Sequence, residues 1–205
     1  MNQKQHNGPT VFVVDDDPAI RFAMQALMDS VNLGHEIFGS ADEFLEQVAN
    51  DRAGCLVLDI RMPGLGGLEL QEELIRRGNA LPIIFITGHG DVPMAVEAMQ
   101  KGAVDFIQKP FRDQDLLDRI RDALKTDELR RQEQHQHDEV SGRLARLTNR
   151  EREVFDLVVT GKPNKVIAYE LGVSQRTVEI HRARVMEKMQ ARSLADLVKM
   201  HMQQV

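Results

Sequence analysis

Five short apolar runs, at 10–14, 35–38, 55–58, 82–87 and 104–108, constrain this chain more than anything else in it. Runs such as VFVV, LVL and IIFI are continuous rather than alternating, as strands must be when both faces of their sheet are covered. Between them apolar residues recur at helical spacing, as in Ile20, Met24, Leu27, Met28 and Val31. Gly34, Gly54, Gly66, Gly67, Gly88, Gly90 and Gly102 punctuate the junctions. Strand and helix in alternation predict an α/β domain over residues 10–125, a doubly wound (βα)5 parallel sheet after a short tail at 1–9. Ligands of such sheets bind at the carboxyl ends of the strands. The fifth helix should begin near Asp113 and carry Leu116, Leu117, Ile120 and Leu124.

Beyond that helix, residues 126–143 have few apolar anchors and read as a linker that a helical extension would also fit. From Leu147 the pattern is helical only, predicting an all-α second domain at 144–205. Thr148-Asn-Arg-Glu151 matches a capping box. Pro163 suits a first helical turn, Gly172 a left-handed turn, and Ser174 the cap of the helix that follows. Charge divides the same way. Residues 1–125 hold 12 Lys and Arg against 20 Asp and Glu, whereas residues 144–205 hold 11 against 7. A basic end on an acidic chain is a candidate for phosphate backbones. No apolar run approaches the ~18 residues of a membrane span, and the opening MNQKQHNG has no signal-peptide core. The single cysteine, Cys55, precedes an apolar run and reads as a packing residue of a cytoplasmic protein.

The acidic stretch VVDDDPAI raises a question of charge. Asp15, Asp16 and Asp17 directly follow a strand, and carboxylates gathered at a strand end repel one another unless a cation joins them. Strands one and three of the expected sheet lie near each other, which brings Asp15 and Asp16 toward Asp59. Oxygen ligands in an open pocket favour Mg²⁺ over a softer metal. Thr87 ends the fourth strand and Lys109 the fifth. A hydroxyl, an ammonium and a metal around one carboxylate make a receptor for a phosphoryl group on Asp59.

VVDDDPAI, LVLDIRMPG, FITGHG and DFIQKPF, in that order, resemble the motifs of receiver domains of bacterial two-component response regulators. The segment 147–189 resembles the LuxR/NarL-type helix-turn-helix, a four-helix DNA-binding domain, and the two together are similar to the FixJ-type subgroup. The resemblance implies a transcription regulator rather than an enzyme, with Asp59 phosphorylated from a sensor histidine kinase. It places Mg²⁺ on Asp16, Asp59 and the backbone carbonyl of Arg61, with Asp15 acting through water. Thr87 and Lys109 would hold the phosphoryl oxygens, the Lys109–Pro110 bond would be cis, and Phe106 would follow Thr87 inward, favouring a homodimer. Arg61 and His89 would flank the path of attacking water and slow loss of the phosphoryl group. The recognition helix would run from Gln175 to Met189. It would present Gln175, Arg176, Glu179, Arg182 and Lys188 to DNA, with Lys188 on a phosphate, and RNA polymerase would be a partner of an activator.

Overall fold

The computed structural model describes residues 8–88 and 92–203; His89 lies outside them. The chain divides into two compact units, one up to Arg130 and one from Arg131.

The first unit is built on five parallel strands: β1 (Thr10–Val14), β2 (His35–Phe38), β3 (Gly54–Asp59), β4 (Ile83–Thr87) and β5 (Asp105–Gln108). Their order across the sheet is β2-β1-β3-β4-β5. Helices α1 (Pro18–Ser30), α2 (Ala41–Gln47), α3 (Gly67–Arg76) and α4 (Val92–Gln100) connect them, and α5 (Asp113–Leu144) follows β5. The predicted doubly wound (βα)5 domain is the one observed.

Continuous apolar strands here serve two cores, because successive side chains point to opposite faces. Phe12 and Val14, Leu56 and Leu58, and Ile83 and Phe85 pack on one face, where Phe38 and Phe44 join them. Val11 and Val13, Cys55 and Val57, and Ile84 and Ile86 pack on the other with Met24, Met28 and the start of α5. Burial, reinforced by the charge of Asp127, pushes the Cys55 thiol up to about 12, which keeps it a protonated packing residue.

The second unit contains α6 (Asn149–Val159), α7 (Asn164–Leu171), α8 (Gln175–Met189) and α9 (Leu194–Met202) around one core. The Thr148–Glu151 capping box starts α6, and Ser174 caps α8 through the Thr177 N–H. Pro163 is the N-cap of α7 rather than its first helical residue, and its missing N–H costs nothing there. Gly172 closes α7 at φ 65°, a conformation that any Cβ would strain.

The expected linker at 126–143 is helical throughout, as the second part of α5. Both of its ends are built into cores. Asp127 is 1% exposed and accepts hydrogen bonds from Gly54 N at 2.9 Å and Arg130 at 2.6 Å. Val140 and Leu144 belong to the core of the helical unit.

Candidate functional site: an acidic pocket and a helix face

Register assembles the pocket. Val14 pairs with Leu58, Asp59 with Ile86 and Thr87 with Gln108. Asp15, Asp59, Thr87 and Lys109 therefore emerge together at the carboxyl end of the sheet. Gly67 fits α3 against the strand end: a Cβ there would stand 2.4 Å from the carbonyl oxygen of Asp59, so only glycine lets the helix start this close.

Asp59 is 7% exposed, and its two oxygens are differently engaged. Oδ1 accepts from the Lys109 ammonium at 2.7 Å, and Oδ2 accepts from the Arg61 N–H at 2.8 Å. Lys109 also donates to Asp15 Oδ2 at 3.1 Å, while Asp15 Oδ1 takes the Asp17 N–H at 2.8 Å. Burial pushes the Asp59 carboxyl above the usual carboxylate range. Lys109 pulls it back, Asp15 adds to the rise, and the balance is upward. Burial alone would lower Lys109, but its hydrogen bonds to Asp59 and Asp15 outweigh that and hold it above the ordinary lysine value.

Thr87 is buried, and its hydroxyl donates to the Ile107 carbonyl at 3.5 Å, toward β5. Phe106 is half-buried against the phenylalanine-rich core. The Lys109–Pro110 bond is cis. Asp17 caps α1, its Oδ1 accepting the Ala19 N–H at 2.8 Å, and Pro18 is the first helical residue.

One expectation needs correcting. Asp15, Asp16 and Asp59 were expected to stay mutually repulsive until a cation arrived, yet Lys109 already bridges Asp15 and Asp59. Asp16 is exposed, and among the described residues no group of three acidic, histidine or cysteine side chains is assembled to hold a metal. Arg21 is a residue that motif reading passed over: its Nη1 donates to the backbone carbonyls of Asp15 and Asp16 at 2.8 Å each. An arginine placed one turn behind three aspartates was the signal available.

In the second unit, α8 buries Val178, Val185 and Met189. At about 100° per residue, the opposite face carries Arg176, Glu179, Ile180, Ala183, Arg184 and Glu187, all exposed, with Gln175 exposed at the first turn. Two of the expected DNA contacts have partners within the unit. Lys188 is turned inward, donating to the buried Glu151 at 2.5 Å and to the Arg146 carbonyl at 3.1 Å. A lysine so engaged fastens α8 to α6, and a phosphate contact would have to be made from this position. Arg182 is half-buried and donates to Asn164 Oδ1 at 3.0 Å, at the start of α7. Arg184 and Ile180 were missed. The helical wheel drawn from the three buried positions would have found them.

Comparison with known proteins agrees with both halves. Residues 11–121 match the response regulator receiver domain, and residues 145–201 match the bacterial regulatory proteins of the luxR family. The chain is 51% identical over 190 residues to nodulation protein W of Bradyrhizobium diazoefficiens, covering 93% of this chain and 84% of that one. It is 46% identical to the transcriptional regulatory protein FixJ of Azorhizobium caulinodans, covering 93% and 90%. The solved response regulator StyR shares 46% identity at a TM-score of 0.88, covering 95% of this chain and 98% of that one. A receiver sheet with an acidic pocket at its carboxyl end and a capped helix-turn-helix are thus combined in one chain, which belongs to the FixJ-type response regulators, transcriptional regulators of two-component systems.

Proposed function

We propose that Asp59 is the phosphoryl acceptor, that a sensor histidine kinase supplies the group, and that phosphorylation controls homodimerisation and DNA binding through α8. The observation that carries this is the bracketing of Asp59. A carboxylate at a strand end, with a lysine ammonium 2.7 Å from one oxygen, is a nucleophile beside a ready counter-charge for phosphoryl oxygens. The Asp59 oxygen attacks phosphorus in line with the leaving group. Lys109 then shifts from the carboxylate to a phosphoryl oxygen. The Thr87 bond to Ile107 lies at the long limit for a hydroxyl, so turning the hydroxyl toward the phosphoryl group gives up little. Inward rotation of the half-buried Phe106 would then register the change on β5.

The donors available, the carboxylates of Asp15, Asp16 and Asp59 and the carbonyl of Arg61, are all hard oxygens and fit Mg²⁺. When bound, the ion would neutralise charge on the phosphoryl oxygens. On α8, Arg176 and Gln175 stand where they would read bases. Glu179 would accept from cytosine or orient an arginine, and Arg182 would act from the edge of the face. The absence of any described helix long and apolar enough to cross a membrane accords with a cytoplasmic regulator, and an activator would also engage RNA polymerase.

The test is labelling with a small-molecule phosphodonor, read by intact mass. Wild type should gain one phosphate in Mg²⁺, and Asp59→Asn or excess EDTA should abolish the gain. Undiminished labelling of Asp59→Asn would overturn the assignment.

A further inference from the structure

Asp16 is aimed by means different from those that hold Asp15. The Asp15 carboxylate is pinned from two sides, by Asp17 N and by Lys109. Asp16 is exposed, and among the described residues its carboxylate accepts no hydrogen bond. What can be set from the backbone is its Cα–Cβ direction, through the two peptide planes that flank its Cα. The Asp15 carbonyl belongs to the plane before that Cα, and the Asp16 carbonyl to the plane after it. A single nitrogen, Arg21 Nη1, holds both oxygens at 2.8 Å. Peptide groups are rigid, so fixing both carbonyls fixes the backbone angles of Asp16 and with them the Cα–Cβ direction.

Arg21 is itself well founded. It lies one turn into α1, behind the Asp17 cap and Pro18. Its guanidinium carbon is 3.6 Å from the point a Cβ on Gly39 would occupy, so the head group packs on the loop after β2. Glu43 in turn accepts the Gly39 N–H at 2.8 Å. Arg21 Nη1 carries two N–H bonds in a fixed plane, one for each carbonyl, whereas an ammonium on a flexible stem has no such set orientation.

We infer that Arg21 is a positioning residue of the pocket, setting its affinity for a divalent cation by holding Asp16 in aim. This rests on the reading of Asp16 as a ligand given above. Charge and geometry make opposite demands here, which is what makes the inference testable. A cation beside the pocket repels a divalent metal, so if Arg21 acted only through its charge, removing it would tighten binding. If it positions Asp16, removing it loosens binding.

Mg²⁺ titration of the unphosphorylated full chain, followed by amide chemical shifts around Asp15, Asp16 and Asp59, separates the two. Arg21→Met should raise the half-saturating Mg²⁺ concentration about tenfold, the scale seen when a group supporting a metal ligand is lost. Phosphodonor labelling of that variant should need correspondingly more Mg²⁺ to reach a given extent. Arg21→Lys should fall between the two, and it decides the matter if Arg21→Met loses its dispersed spectrum. Unchanged or tighter binding in the variant overturns the inference while wild-type titration leaves the pocket reading intact. A wild-type chain with no Mg²⁺-dependent shifts at all overturns the pocket reading and this inference with it.

Discussion

Glu151 shows how much one residue can carry. Its carboxylate accepts the Thr148 N–H at 2.9 Å, closing the capping box of α6, and it also receives the Lys188 ammonium. The hydrogen bond from Lys188, then that from Thr148, bring its pKa down from 4.5 to about 2. A carboxyl depressed by folding adds stability that is fully present above its unfolded value and disappears as pH falls through its folded one. Protection of α6 and α8 amides against hydrogen exchange should therefore weaken between pH 4.5 and about 2. Glu151→Gln should flatten that part of the profile. Lys188 is 33% exposed and water can take it back, so the loss is mainly that of the cap, and Glu151→Ala should cost about 1–2 kcal/mol in urea unfolding. At the DNA face the expected outcome differs in kind. Arg184 is exposed and makes no ion pair with a described residue. If it meets a phosphate, Arg184→Ala should weaken binding to all duplexes alike and reduce the salt slope by about 1. A selective loss on one sequence would make it a base reader instead.

Helix α5 is the element whose length the sequence concealed. Gly142 sits in its last turns, exposed, with nothing within 4 Å of where a Cβ would project. Gly142→Ala should therefore stabilise the helical unit by about 0.5–1 kcal/mol, as helix propensity and a stiffer unfolded chain both favour alanine there. Equilibrium unfolding would show it, and no gain would mean this turn is frayed. The strands, by contrast, were legible to within a residue, because an apolar run buried on both faces has few other ways to fold. The same holds for the caps at Thr148 and Ser174, whose signals are local. Residues 126–143 gave no such signal. Their fixed points, Asp127, Val140 and Leu144, are single residues held by partners far along the chain. The ion pair of Lys188 was hidden for the same reason: its partner Glu151 is 37 residues away, and nothing local announces it. The pocket was legible in its residues but not in its charge balance, since the bridging role of Lys109 depends on register across four strands.

At the scale of the whole chain the charges divide unevenly. Residues 1–125 carry −8 and residues 144–205 carry +4. An acidic partner on the same chain repels a polyanion, so full-length protein should bind non-specific duplex more weakly at low salt than a fragment starting at residue 131. The gap should close as ionic strength shortens the Debye length. A fragment starting at 144 is a poorer choice, since it discards Val140 from the core. Fluorescence anisotropy across a salt series measures both curves, and a gap that persists at high salt would point to something other than charge. The two faces of the sheet have a further, magnetic consequence. The rings of Phe12 and Phe44 meet edge to face at 5.8 Å, and those of Phe38 and Phe44 at 5.4 Å, whereas among the described residues the opposite core contains no fully buried ring. Ring currents should therefore disperse the methyl resonances of Leu56 and Leu58 more widely than those of Val57 and Ile84. The protein carries its own spectral label for one side of the sheet, so a disturbance reaching the Asp59 pocket can be followed face by face.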